Sequence, residues 1–252
     1  MIIPNFLIIG AARSGTTSLV HCLNLHHQIF LPETNKEPKY FSREQEFKKG
    51  VEYYLNTYFS STDKYKAVGE KTTEYMENLS VAERIYHFNS NMKLICMLRN
   101  PVERVISNYW WSVCNGLEDR PINIAVETEY ENYLNNPEKV TIISSVRPHE
   151  YIRRSLYYEN LRPFYQLFSV KNIKCIIFEE FMYNKEKITE DIFKFLDVEI
   201  IDLPIDSIKI QRDIERSHTL DSQLYKILRD FFYRENEKLS ELIIVSTAKW
   251  YD

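Results

Sequence analysis

Phe6-Leu7-Ile8-Ile9-Gly10-Ala11-Ala12-Arg13-Ser14-Gly15-Thr16-Thr17-Ser18-Leu19 is the stretch that decides the architecture. The apolar run over 6–9 reads as a buried strand that stops at Gly10. Small residues follow, and a helical pattern begins near Thr16. Strand, tight loop and helix start, in that order, build an anion site, because unpaired backbone N–H groups and the positive end of a helix converge on one point. Thr16, Thr17 and Ser18 add hydroxyl donors, Arg13 adds a permanent positive charge, and Ser14 and Gly15 complete the candidate binding loop. The segment predicts a phosphate site. On the loop alone, a glycine turn with no ligand stays open.

The loop stops one residue short of an ATP-type P-loop. The pattern Gly-x4-Gly-Lys-Ser/Thr is met at Gly10 and Gly15, but Thr16 stands in the Lys position. The cation that would reach the outer phosphates of a nucleoside triphosphate is missing, and a different one sits three residues earlier.

A second segment has the same logic. Lys93-Leu94-Ile95-Cys96-Met97-Leu98 reads as a buried strand and runs into Arg99-Asn100-Pro101-Val102-Glu103-Arg104-Val105-Ile106-Ser107-Asn108-Tyr109-Trp110-Trp111. Asn100 suits a helix cap and Pro101 the first turn. Val102, Val105, Ile106 and Tyr109 share one face. Arg99 leaves the strand end, and Ser107 lies about two turns on, roughly 12 Å of rise. Both reach one bulky anion only if it lies along the helix start. Arg104 reads as an ordinary surface charge.

Strands are expected at about 5–10, 28–31, 66–70, 93–98 and 173–178. Helices fit about 16–26, 43–58, 79–90, 101–115, 122–134, 155–169, 185–196 and 219–238. Strands separated by helices predict an α/β fold, a P-loop-like three-layer domain with a central parallel sheet flanked by helices. Gly10, Lys71 and Arg99 each follow a strand in this reading and so fall at the carboxyl edge, where such sheets bind ligands. With 252 residues the chain is long enough for a single domain over 1–252 with a full core. Residues 134–154, with Asn135, Asn136, Pro137 and Pro148, read as a loop.

A net charge of −4 argues against a general nucleic-acid binder. Lys36, Lys39, Arg43, Lys48 and Lys49 form a local basic stretch that either faces an anionic acceptor or is a solvated helix face. Cys22, Cys96, Cys114 and Cys175 contain no Cys-x-x-Cys pair and read as free thiols, with Cys96 and Cys175 inside apolar runs. His21, His26, His27, His87, His149 and His218 have no metal-ligand spacing, so no metal is expected. No run of roughly 20 apolar residues spans a membrane, and the N-terminus has neither a basic n-region nor a cleavage site.

GAARSGTTSL (10–19) resembles the loop that binds the 5′-phosphosulfate of 3′-phosphoadenylyl sulfate (PAPS) in sulfotransferases. LRNPVERVISNYWW (98–111) resembles the same family's 3′-phosphate segment, with its Arg and Ser at Arg99 and Ser107. KEPKYF (36–41) and GEKTTEYM (69–76) are similar to the branch that sulfates carbohydrates, typified by heparan sulfate sulfotransferases. RRSLYYENL (153–161) and LRDFFYRENEKLSELI (228–243) continue the likeness weakly, so it spans nearly the whole chain. The resemblance implies a P-loop-like fold, PAPS as co-substrate, 3′,5′-adenosine diphosphate (PAP) as product and a saccharide or glycoconjugate as acceptor. Eukaryotic members of this branch usually carry a membrane anchor. Its lack here leaves a bacterial protein or an excised catalytic domain, and the Met1 start favours the first, which predicts a cytoplasmic enzyme.

By this resemblance Glu37 matches the catalytic base of KE-x-x-(Y/F)-F, with Glu33 as the alternate, and Lys71 touches the transferring group or the acceptor. On spacing alone, the reading of Glu37 as a surface acid paired with Lys36 or Lys39 wins. Glu70 is expected to orient Lys71, and Glu74 to contact the acceptor. Tyr157 falls on the adenine side. Trp110 and Trp111 either pave an acceptor cleft or belong to the core. Two departures from the family stand out. Most members carry Lys where this chain has Arg13, and Arg does not readily give up a proton. The Gly-containing basic loop that clamps the nucleotide has no Gly in the corresponding 211–218, where Arg216 is the substitute and His218 lies beside it. The competing readings are a P-loop kinase, disfavoured by Thr16, and a non-catalytic module for adenosine diphosphates, disfavoured by Glu37 and Lys71. Acceptor identity, and O- against N-sulfation, do not follow from these motifs.

Overall fold

The opening strand forms as β1 (Phe6–Gly10), buried along its whole length. The computed structural model describes residues 3–32, 37–136, 150–204 and 220–251. Two compact units account for the chain, one of Met1–Leu98 with Leu161–Gln211, the other of Arg99–Asn160 with Arg212–Asp252.

The first unit is built on one all-parallel sheet. β1, β2 (Ile29–Phe30), β3 (Ala67–Lys71), β4 (Lys93–Leu98) and β5 (Ile173–Ile177) lie in the order β2-β3-β1-β4-β5. Parallel neighbours require crossovers, and helices supply them. These are α1 (Thr16–Asn24) after β1, α2 (Glu44–Phe47) and α3 (Gly50–Tyr58) before β3, and α4 (Leu79–Phe88) before β4. After β5 come α8 (Phe178–Tyr183) and α9 (Lys185–Leu196). Side chains alternate across a strand. Phe6 and Ile8 of β1, Ile95 and Met97 of β4 and Ile176 of β5 therefore share one face, packed with Leu19, Cys22 and Leu23 of α1 and Ile192, Phe193 and Leu196 of α9. Leu7, Ile9, Leu94, Cys96 and Leu98 point the other way and are equally buried, so both faces are covered.

The sequence expectations hold for all five strands, with two refinements. The second strand shortens to two residues, and β3 runs one residue further, so Lys71 ends the strand instead of following it. The single helix expected over 43–58 is two, interrupted where the chain enters Gly50 at φ +84. The helix expected from 155 begins as a 3-10 turn at Arg153–Ser155 and continues as α7 (Tyr157–Leu167). No sequence expectation corresponds to α8.

The second unit is helical. α5 (Pro101–Cys114), α6 (Ile122–Asn135), the start of α7, α10 (Ser222–Glu237) and α11 (Leu239–Leu242) build it. Val102, Val105 and Tyr109 pack with Ala125, Val126, Tyr151, Ile152, Leu224, Leu228, Phe231 and Phe232. Arg104 overturns its reading as a surface charge, because it is completely buried. Its Nε donates to Ser155 Oγ at 2.6 Å and its Nη2 to the Tyr151 carbonyl at 2.5 Å. The apolar face of α5 is simply wider than the spacing of Val102, Val105 and Tyr109 implies, and its one cation is hydrogen-bonded from within by a hydroxyl and a carbonyl. Between α5 and α6, Glu118 accepts from Arg120 Nε and Nη2 at 2.9 and 2.8 Å and from the Tyr151 hydroxyl at 2.9 Å.

Candidate active site

The loop after β1 has the features of an anion site. Gly15 caps α1 in the left-handed region, at φ +82, with no side-chain hydrogen bond to the first turn. That leaves the opening N–H groups of the helix for another acceptor. Ser14, directly before it, is fully buried, and its Oγ has no hydrogen-bond partner among the described residues. A buried hydroxyl left unpaired costs about 1–3 kcal/mol, and an oxyanion bound at this loop would relieve that cost. Thr16 and Ser18 are buried at 4% and 7% exposure, and Thr17 is exposed. Arg13 holds the loop with φ +71. These donors fit a phosphate or sulfo group.

The exit of β3 lies against the same loop. The register pairs Ile8 with Lys71, and Thr72 N–H donates to the Ile8 carbonyl at 3.1 Å. A Cβ on Gly10 would come within 3.0 Å of Met76 and 3.1 Å of the Thr73 carbonyl oxygen. Lys71 Nζ stands 3.2 Å from Glu37 Oε1, and the Thr73 hydroxyl donates to the same oxygen at 2.9 Å. The Glu37 and Lys71 side chains are 19% and 25% exposed, so the pair faces solvent at the sheet edge. The structure thus brings the two residues together and adds Thr73, which the sequence reading passed over. Its signal was present: residues two apart leaving a strand fall on one side, so 71 and 73 address the same partner.

Glu70 does not orient Lys71 by direct contact. Adjacent strand residues face opposite ways, and Glu70 points into the core, where it is fully buried. Its carboxylate accepts from Tyr75 Oη at 2.7 Å, Thr72 Oγ1 at 2.8 Å and Tyr54 Oη at 3.2 Å. Burial pushes its carboxyl up to about 7. The bonds from Tyr75 and Thr72 oppose that, the charge of Glu37 adds to it, and the bond from Tyr54 lowers it again. Glu74 does not extend outward to an acceptor either. It takes Arg43 on both oxygens at 3.1 Å, Ser42 at 2.6 Å and Lys39 at 3.3 Å. Burial raises its carboxyl, but these contacts outweigh it and hold the group below the ordinary range. Among the described residues of the basic stretch, Lys39 and Arg43 are thus paired with Glu74, Lys48 with Glu44 and Lys49 with Glu46.

In the second unit, Asn100 caps α5 by accepting from Val102 and Glu103 N–H at 3.0 and 3.2 Å, with Pro101 in the first turn. Arg99 precedes that cap. Its backbone N–H donates to Tyr157 Oη at 3.3 Å, and the Tyr157 hydroxyl donates to its carbonyl at 2.8 Å. Tyr157 is fully buried, with Trp250 tilted against it at 5.8 Å. Tyr157 therefore holds the Arg99 main chain. Ser107 sits on α5 at 2% exposure. Tyr109 is core, its hydroxyl bonded to the Arg120 carbonyl at 2.7 Å, while Trp111 is 37% exposed.

Glu33, Lys36, Arg216, His149 and His218 lie outside the described residues. His26 is satisfied by the Glu199 carbonyl and by Gln28 N–H, and no group of His, Cys, Asp or Glu among the described residues is arranged to hold a metal ion. All four cysteines are free. No helix among the described residues is long and apolar enough to cross a membrane.

A family model described as "Sulfotransferase domain" matches residues 4–230. The chain is 38% identical over 113 residues to "Membrane-associated sulfotransferase kil1" of Dictyostelium discoideum, covering 44% of this chain and 23% of that protein. It is 26% identical over 174 residues to "Heparan sulfate glucosamine 3-O-sulfotransferase 5" of Homo sapiens, covering 69% of this chain and 47% of that protein. The chain therefore spans about a quarter to a half of the length of these curated relatives. Among solved structures, a sulfotransferase from Alicyclobacillus acidocaldarius superposes with a TM-score of 0.82 at 25% identity over 100% of both chains. A mouse sulfotransferase complexed with PAP shares the fold, with a TM-score of 0.53 at 15% identity over 95% of this chain and 86% of that one.

Proposed function

The chain belongs to the sulfotransferase family, and from that premise we propose that it moves the sulfuryl group of PAPS to a hydroxyl or amine of a carbohydrate acceptor. The observation that carries this reading is the meeting of Glu37 with Lys71 and Thr73 beside the anion loop. A general base next to a cation, at a loop built for an oxyanion, is the minimum equipment for in-line displacement on an already activated sulfuryl group.

The 5′-phosphosulfate is assigned to Arg13, Ser14, Gly15, Thr16, Thr17 and Ser18. Arg99 and Ser107 are assigned to the 3′-phosphate, with Tyr157 acting through the Arg99 main chain. Arg216 remains the proposed closing residue. In the reaction the acceptor oxygen or nitrogen bonds to sulfur as the bond from sulfur to the 5′-phosphate oxygen breaks. Glu37 takes the acceptor proton, and PAP leaves with the bonding electron pair. Both contacts from Lys71 and Thr73 fall on Oε1, and Oε2 is the oxygen assigned to the acceptor proton. Lys71 also stabilises charge on the sulfuryl oxygens. The heparan sulfate relatives support a saccharide acceptor, and family membership does not favour the kinase or binding-module readings.

The test is transfer from labelled PAPS to a panel of oligosaccharides, including N-desulfated heparan sulfate, read by mass spectrometry in the presence of EDTA. Glu37→Gln should bind PAP as the parent does while kcat falls roughly 10²-fold or more. No transfer to any acceptor, or activity restored only by one divalent ion, would overturn the proposal. Near-parental transfer by the variant would remove Glu37 as the base.

A further inference from the structure

We infer that Glu70 is the positioning residue of this site, a buried carboxylate that sets Glu37 and Lys71 through two hydroxyl relays. The inference rests on the proposed function for its chemistry and on geometry for its mechanism. Three hydroxyls, Tyr54 from α3, Thr72 and Tyr75, donate to the two oxygens of Glu70. Because Thr72 and Tyr75 spend their protons on the carboxylate, their oxygens are left as acceptors. Both are used. Lys39 N–H donates to Thr72 Oγ1 at 3.2 Å, and Phe41 N–H donates to Tyr75 Oη at 3.3 Å.

Those two amides belong to the segment that starts at Glu37, whereas Thr72 and Tyr75 belong to the one that starts at Lys71. Glu70 therefore ties the main chain carrying the base to the main chain carrying the cation. The tie has a direction. An amide in place of the carboxylate must donate to a hydroxyl that already accepts a backbone N–H, and that hydroxyl's own proton then loses its acceptor. Protonating Glu70 likewise removes an acceptor position that the three hydroxyls share. The groups facing it are the three hydroxyls, with Glu37 acting through its charge, and no cation among the described residues bonds to the carboxylate. Burial pushes the group up to about 7, so the relay runs in its working direction above that pH and is disturbed below it.

Glu70→Gln, Thr72→Val and Tyr75→Phe test the idea in the intact chain. PAP affinity should stay within about twofold, because none of the three lies in the anion loop. With PAPS and N-desulfated heparan sulfate, kcat should fall about tenfold or more, the range expected when a base is displaced by a fraction of an ångström. The parent kcat should show an acid limb near pH 7 that Glu70→Gln lacks. Introduced beside Glu37→Gln, Glu70→Gln should cost less than it does in the parent, since part of its effect runs through that residue. Amide hydrogen exchange should quicken at Lys39 in Thr72→Val and at Phe41 in Tyr75→Phe. Parental kcat with unchanged exchange in these two variants overturns the inference even if Glu70→Gln does not fold. Losses that multiply independently with Glu37→Gln overturn it as well. A parent that moves no sulfuryl group defeats the proposed function instead, and the exchange of Lys39 and Phe41 then decides whether the relay exists.

Discussion

Replacing Gly15 by Ala attacks the anion loop at the position where backbone and packing both demand glycine. Gly15 lies at φ +82, and a Cβ there would sit 2.6 Å from two ring carbons of Phe178. Carbon atoms rest about 3.5–4.0 Å apart, so the ring must retreat by roughly 1 Å. An L-residue in the left-handed region costs about 1–2 kcal/mol, and overpacking costs typically about 1–3 kcal/mol. Gly15→Ala should therefore destabilise the chain by about 2–5 kcal/mol in urea unfolding. The two causes separate in a double-mutant cycle. With Phe178→Ala as background only the backbone term remains, so the coupling between the sites should be about 1–3 kcal/mol. PAP titration should lose about ten- to a hundredfold in affinity, the equivalent of one charge-assisted hydrogen bond from the displaced first turn of α1. A cost below 1 kcal/mol, or the same cost in both backgrounds, would refute the argument from this loop.

Arg99→Ala should weaken binding of PAP far more than binding of adenosine 5′-monophosphate, which lacks the 3′-phosphate; equal losses in calorimetry would sink that assignment. Arg104→Ala should cost about 2–4 kcal/mol in urea unfolding, because it leaves a cavity in the core and strands the Tyr151 carbonyl there; a loss under 1 kcal/mol would return Arg104 to the surface. Glu118 carries an acid-side stability term: burial raises its carboxyl, but the bonds from Arg120 and Tyr151 hold it down to about 2 from 4.5. A depressed carboxyl stabilises above its unfolded value, so about 2–3 kcal/mol should be present at pH 6 and vanish between pH 4.5 and 2, and Glu118→Gln should flatten that acid limb.

What the sequence disclosed and what it withheld follow from the range of the interactions. Strand β1 and the start of α1 are legible because apolar runs, small residues and caps act within a few positions. Arg99, Asn100 and Pro101 are legible for the same reason, since strand end, cap and first turn are all local. Glu37 and Lys71 were placed by resemblance, and their contact at 3.2 Å joins residues 34 positions apart, beyond any periodicity. Arg104 was misread because a cation on a helix signals solvent unless its partners are known, and Ser155 and Tyr151 lie about fifty residues away. Glu70 was misread although strand alternation alone sends it away from Lys71. Its partners Tyr54 and Tyr75 come from segments on both sides of β3 in the chain. Long-range polar pairing leaves no pattern in one sequence, and it is the pairing that shapes this site.

Arg13 can then be weighed as chemistry instead of as a departure from the family. A Lys at this position could in principle hand a proton to the departing group, and Arg cannot. Under the proposed reaction the departing atom is a phosphate oxygen. The second ionisation of a phosphate ester falls near pH 6, so at neutral pH that oxygen leaves as an anion with no need of a proton. What it needs is positive charge along the breaking bond, and a guanidinium that stays charged supplies it at every working pH. Under the same proposal the loop's backbone N–H groups and the Ser14 hydroxyl, which has no partner among the described residues, address that anion, so a permanent cation completes an electrostatic device with no titrating part. Proton chemistry in that proposal is left to the acceptor side, where Glu37 stands, with the buried Glu70 behind it.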